Sequence, residues 1–294
     1  MMRKKIVTFI ISILAMVMIA GALAGCGSTG TTASSSDKTT VSKSLQHFRE
    51  QGKIVIGGTA TPPFSYVDPD TKKIAGIDGE ISVAIANKLG IKDVEFKQVT
   101  FDNLLMELQN KNIDVASSAM YITDVRKKKA AFSNVYYKEG EGLLFKASKN
   151  YHSLDEIKGK GLICAVQNGS GYKKVADKLA ADGYFKEIAI YPSINECILA
   201  VKSGNADFTM TDDVALAYAA SKDANSDLAL LKGYKPEYAG KIGAAFRKDD
   251  PQFVKEWNDA LDGLKKDGTV MKILQKYGCG DDNFVNVEEG QTSN

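Results

Sequence analysis

The sequence of 294 residues holds only two histidines, four cysteines, six prolines and one tryptophan. His47 and His152 stand near the edges of the folded body, so the commonest general base and a structural metal site are both disfavoured. The cysteines form no CxxC pair, and beyond Cys26 three remain, an odd number that argues against a disulfide framework. Cys164 lies in an apolar strand-like run and Cys197 in an amphipathic helical pattern, so both read as core fillers. No G-x-S-x-G elbow, Walker loop or metal-ligand spacing occurs. Charge of one sign is also lacking: beyond residue 25 the chain carries 35 basic and 36 acidic side chains. That balance removes the phosphate neutralisation on which nucleic-acid binding rests. What is present, 44% hydrophobic and 25% charged residues, is the composition of a globular chain of about two domains.

The one long apolar run is N-terminal. After the cationic Met1–Lys5, Ile6–Ala20 is 15 nearly all-apolar residues, shorter than the roughly 20 that a spanning helix needs. With the small residues that follow, residues 1–25 fit a cleaved secretory leader. It ends in Leu23-Ala24-Gly25-Cys26, a pattern like the bacterial lipobox, whose cysteine is lipidated and becomes the mature N-terminus. Of the next 18 residues, Gly27–Ser44, 13 are Gly, Ser or Thr, so residues 26–44 read as a flexible tether reaching about 25 Å. The expected address is the extracytoplasmic face of the cell membrane.

From Lys53 onward strand-like runs alternate with helical patterns, which predicts an α/β architecture with largely parallel strands. Ile54-Val55-Ile56 and Val94–Val99 read as strands. Apolar residues at 81, 84, 85 and 89 mark a helix with Asp78 placed to cap it, and Leu104, Leu105 and Leu108 mark another. One unit recurs: Asn103–Ser118 and Glu196–Asp212 both run helix, polar turn, strand, polar end. Ligands in open α/β sheets bind outside the carboxyl ends of strands. Two such domains face to face would place Ser117–Tyr121 on one wall of a cleft and Thr211–Asp213 on the other.

The residues available there suit a small zwitterion. Arg126 falls in the first turn of a helix capped by Thr123 or Asp124, where a guanidinium fork and a helix N-terminus both favour a carboxylate; it also begins the run Arg126–Lys129, the mark of a solvated face. Asp212 ends an apolar strand and suits an ammonium group or the cap of the next helix. Phe64 and Phe101, at loop or strand ends, could stack on a solute or belong to the core. Gln167-Asn168-Gly169-Ser170-Gly171 opens a helix, and its N–H groups could meet an anion.

Taken in order, these segments resemble the bacterial extracellular solute-binding proteins of family 3, which serve ABC importers of polar amino acids. The resemblance spans about Lys53 to Tyr277. It rests on Pro62-Pro63-Phe64, Ile74–Glu80, Ala119–Lys128, Phe132–Tyr137, Ser153–Lys160, Gly169-Ser170-Gly171 and Asp267-Gly268-Thr269. It implies a two-lobed, type II periplasmic-binding-protein fold with two hinge strands and an interlobe cleft. Lobe 1 would take residues 45–138 plus 243–294, and lobe 2 residues 139–242.

It further implies that Arg126 holds a ligand carboxylate, Asp212 the α-ammonium, and Phe101 an aromatic wall. Ser118 and Ala119 would bond the ligand, and Ser170 and Gly171 would add carboxylate donors. Departures fall at Gly58, where many members have aspartate, and at Thr61, where some have an aromatic. Tyr121 replaces a small hydroxyl residue, and Gln167 sits at a position that varies with ligand. These point to a neutral polar amino acid. The expected partners are that free amino acid, a membrane permease and a lipid anchor, around a monomer without cofactor, metal or catalytic residues. A sensor domain or a dehydratase-like enzyme on the same fold is the alternative. The acidic tail Asp281–Asn294 is expected to be disordered.

Overall fold

The structure, a computed structural model, describes residues 41–222 and 227–292. The leader, Cys26 and the tether as far as Thr40 lie outside the described residues. From Ser42 the chain is already committed to the body. The Ser42 side chain accepts from Leu45 N at the start of helix α1 (Lys43–Gln51), and its hydroxyl donates to Glu256 at 2.6 Å. Residues 42–44, expected to belong to the tether, are therefore part of the folded body.

The first lobe is built on a five-stranded sheet. Its strands are β1 (Lys53–Gly58), β4 (Asp93–Gln98), β5 (Val115–Ala116), β6 (Ala131–Phe132) and β14 (Ala245–Phe246), in the order β4-β1-β5-β14-β6. β1 runs parallel to β4 and β5, and β14 antiparallel to β5 and β6. A small hairpin, β2 (Tyr66–Val67) with β3 (Ile74–Ala75), precedes helix α2 (Ile77–Lys88). The second sheet repeats the plan: β8 (Glu141–Phe145), β9 (Ile163–Gln167), β10 (Glu187–Tyr191), β11 (Phe208–Asp212) and β12 (Ala229–Leu230) in the order β10-β9-β11-β8-β12. There β9 is parallel to β10 and β11, and β8 antiparallel to β11 and β12. The two copies of the recurring sequence unit supply the central strands β5 and β11. Between the lobes run β7 (Tyr137–Glu139) and β13 (Gly240–Ile242), paired antiparallel, the two hinge strands of a two-lobed α/β fold.

The helices cover the sheets through apolar stripes. On the first sheet lie α1, α2, α3 (Leu104–Gln109) and α8 (Pro251–Lys266), with α9 (Thr269–Lys276) packed on α2 and α8; on the second lie α5 (Tyr172–Ala181), α6 (Ile194–Ser203) and α7 (Asp213–Lys222). In α8 the period-3.6 stripe Phe253, Trp257, Leu261 and Leu264 is buried, and Asp250 caps the start by accepting from Phe253 N. Trp257 is fully buried because its indole N–H finds the Tyr136 hydroxyl at 2.9 Å.

Two expectations are corrected. Asp78 does not cap α2, whose N-cap is Gly76. It is buried, accepting from Tyr137 OH at 2.8 Å and Ala119 N at 3.0 Å. The tail is ordered through Thr292: Val285 is buried, and Asn283 and Gly290 carbonyls accept from Lys138 N and Val135 N. Backbone pairing to the hinge segment and one apolar anchor outweigh an otherwise polar composition.

Candidate functional site

Segments at the carboxyl ends of parallel strands converge between the lobes. They follow β1, β4 and β5 on one side, and β9 and β11 on the other. The cavity they line encloses about 320 Å³ of space between atoms, open in part to solvent. Arg126, Phe101, Phe64, Ser118, Ala119 and Tyr121 line it from lobe 1, and Gln167, Ser170, Gly171 and Asp212 from lobe 2.

Arg126 is placed by α4 (Asp124–Lys127), a single turn whose Thr123 cap accepts from Arg126 N. Its Nη1 donates to Tyr121 O at 3.0 Å and its Nη2 to Gly169 O at 3.3 Å, across the lobes. The guanidinium also lies 5.1 Å from the centroid of the Phe101 ring. Burial pulls its pKa below the usual value, while Tyr238, Tyr172 and Asp212 act to restore it.

Asp212 ends β11, is buried, and accepts from the Tyr172 hydroxyl and from Thr211 Oγ1 at 3.0 Å. Since α7 begins at Asp213, Asp212 also stands at the position that precedes the helix, so its place suits both the cavity and the cap reading. The hydroxyls of Tyr172 and Tyr121 are 3.0 Å apart. Tyr121 presses so closely on β13 that only glycine fits at 240, where a Cβ would fall inside the tyrosine ring. Tyr238 completes a group of three rings, with centroids 5.2 Å from Tyr121 and 6.3 Å from Tyr172.

Several expected ligand positions are changed by their neighbours. The amide of Ala119 donates to Asp78, and the Ser118 hydroxyl lies 2.9 Å from Thr59 Oγ1. Ser170 Oγ is buried with no hydrogen-bond partner among the described residues. Thr61 does not line the cavity. It is bridged to Ser65, and its hydroxyl donates to Thr59 O at 3.4 Å. At Gly58 a Cβ would stand 2.8 Å from both Phe96 and Ser65, so no acidic side chain fits there without displacing them.

Thr59, Tyr172 and Ile194 line the cavity without having been singled out by sequence. Glu139 was missed as well. It is buried beneath the tyrosines, and neither of its carboxyl oxygens has a hydrogen-bond partner among the described residues. Burial, and then the nearby Asp212, hold its pKa well above the usual carboxylate range. The available signal was an acid two residues from Tyr137, on the same face of a strand.

A wider crevice of about 1290 Å³, bounded by Tyr66, Glu80, Tyr218 and Lys276, is less suited to a zwitterion. Two of its charges already pair, Lys276 Nζ lying 2.5 Å from the Glu80 carboxylate. Among the described residues no group of three or more His, Cys, Asp and Glu could hold a metal ion, and no helix is long and apolar enough to cross a membrane.

A two-lobed α/β body with its cavity at the hinge is the architecture of a solute-binding protein. The chain belongs to the bacterial extracellular solute-binding proteins, family 3, whose family model matches residues 54–280. It is 31% identical to the ABC transporter glutamine-binding protein GlnH of Bacillus subtilis, over 94% of this chain and 97% of that protein. The arginine-binding extracellular protein ArtP of the same organism is 30% identical, with 88% and 94% covered. Among solved structures, an ancestral arginine-binding protein bound to arginine superposes with a TM-score of 0.68 at 32% identity, covering 77% of this chain and 98% of its own.

Proposed function

We propose that this chain is the substrate-binding lipoprotein of an ABC importer, held by Cys26 at the extracytoplasmic face. It captures a free amino acid and delivers it to a membrane permease, as a monomer and without catalysing a reaction. The observation that carries this reading is the presence of Arg126 and Asp212 on opposite lobes of one cavity. Taking both charges of a zwitterion out of water costs several kcal/mol per ion unless each is met with good geometry. A guanidinium and a carboxylate facing across a closable gap meet that requirement. Phe101, Phe64, Tyr121 and Gln167 would shape the side-chain space, and the unpartnered Ser170 hydroxyl and the Gly171 region would add donors for the carboxylate. Thr61 would act indirectly, through Thr59.

Relatives of near-equal identity carry glutamine and arginine in their names, so the side-chain preference rests on this chain's own residues. The tight packing around Gly58, which leaves no room for an acid, favours a polar, uncharged side chain. A thermal-shift screen of the twenty amino acids, tried singly, tests the reading, because a ligand at a hundred times its Kd adds about 2.7 kcal/mol of stability. Stabilisation by neutral polar amino acids is expected. Stabilisation by lysine or arginine alone would overturn the preference, and by none of the twenty the amino-acid reading itself.

A further inference from the structure

Glu139 closes the hinge strand β7, in which Tyr137 and Glu139 are buried and Lys138 between them is exposed. The period of two turns Glu139 inward with Tyr137. Its neighbour along the chain, Glu141, is fully served: Tyr234 OH, Glu237 N and Tyr238 N all donate to it, at 2.6 to 2.9 Å. Glu139 has no such donors among the described residues, although both its oxygens are buried.

The ionisable groups that act on Glu139 come from every side. Asp212 ends β11, Asp213 opens α7, Asp78 lies on α2 and Tyr137 on its own strand, while Tyr121 and Tyr172 are the cavity tyrosines. The Tyr121 hydroxyl donates to the Glu139 carbonyl at 3.2 Å, leaving the carboxyl unserved. The strongest charges upon it are all negative. A carboxylate buried without donors and beside a second carboxylate is strongly disfavoured, so such a pair holds one proton between its members.

We propose that Glu139 stands behind the site as an un-ionised acid, so that Asp212, the carboxylate lining the cavity, is not backed by a second charge from β7. The site then balances one guanidinium against one carboxylate and has no charge left for a second cation on the solute. This deepens the amino-acid reading above and rests on it.

The first test needs no ligand. Unfolding stability is measured from pH 5 to 9 for the whole chain and for Glu139→Gln, which keeps the neutral shape. A folded state that holds a proton the unfolded state has released loses stability as pH rises. The wild type should fall relative to the variant by about tenfold in the unfolding constant per pH unit until Glu139 ionises in the folded protein. Asp78 is common to both proteins and cancels. Parallel profiles overturn the proposal. Should the variant not fold, wild type labelled with carbon-13 at glutamate carboxyls decides. One glutamate resonance still in the acid form at pH 7 supports the proposal, and none overturns it.

The second test is calorimetric titration at pH 6 with the twenty amino acids, tried singly. Glu139→Gln should leave the affinity of every binder within about twofold. A loss of about tenfold or more means that Glu139 meets the solute as a carboxylate, which overturns the proposal while the amino-acid reading stands. If the wild type binds no amino acid, the amino-acid reading fails and takes the selectivity claim with it, whatever the stability profiles show.

Discussion

The two charges of the site differ in how they are held. Arg126 donates to two backbone carbonyls and keeps its fork beside the Phe101 ring, whereas Asp212 is fixed by two hydroxyl donors. Replacing the guanidinium leaves a ligand carboxylate buried without a partner, so Arg126→Ala should weaken amino-acid binding by about 3–5 kcal/mol, two to three and a half decades in Kd. Calorimetry on the folded variant checks this, and unchanged affinity would move the site elsewhere. Asp78 carries a different prediction. Burial raises its pKa to about 7, against the hydrogen bonds from Tyr137 and Ala119 that lower it. The folded state therefore holds a proton that the unfolded state gives up near pH 4, and stability declines as pH rises from about 4 to 7, then levels. In Asp78→Asn that part of the decline should vanish from urea-unfolding curves, while any slope due to Glu139 remains. That Arg126 and Asp212 would line one cavity was legible because each sits at a strand or helix end within a family pattern. Glu139 and Tyr172 were not, since their partners come from segments dozens of residues away that no local spacing brings together.

Elements with a clear period were readable, and those without one were not. The apolar spacing 81, 84, 85, 89 located α2 because Ile81 and Ile85 are wholly buried, and Ile54–Ile56 located β1 for the same reason. The strands β6 and β14 are two residues each, too short for any period, and are fixed only by pairing with each other and with β5, itself as short and readable only through the recurring unit. The C-terminal strap belongs to the same group. Its polar composition conceals a Phe284–Tyr137 bridge and the buried Val285, whose carbonyl accepts from Lys265 Nζ at 2.7 Å. Lys265 is itself buried, and that burial lowers its pKa to about 8. A chain ended after Gly280 should lose about 3–5 kcal/mol, from one buried valine and several hydrogen bonds of about 1 kcal/mol each. Its melting temperature should fall by roughly 10 °C. A melting curve unchanged by the truncation would show the strap to be dispensable.

At the scale of the molecule, the proposed capture of a solute makes the equilibrium between open and closed lobes the quantity that sets affinity. A ligand shifts that equilibrium only by its different affinity for the two states. Contacts that join the lobes without touching the cavity therefore tune affinity from a distance. The Asn168 side-chain amide donates to Asp102 Oδ2 at 2.9 Å across the exposed rim, and neither residue lines the cavity. Removing this bond leaves the site's chemistry intact but costs the closed state one solvent-exposed hydrogen bond. Where the open state dominates without ligand, apparent affinity scales with the closed fraction. Asp102→Ala should then bind its amino acid about three- to tenfold more weakly, matching the roughly 0.5–1.5 kcal/mol net worth of such a bond. The change should appear in the dissociation rate rather than the association rate, since the latch forms after encounter. Stopped-flow tyrosine fluorescence separates the two, because Tyr121, Tyr172 and Tyr238 meet at the cleft. An unaltered dissociation rate would mean that closure is held by the hinge and the ligand alone.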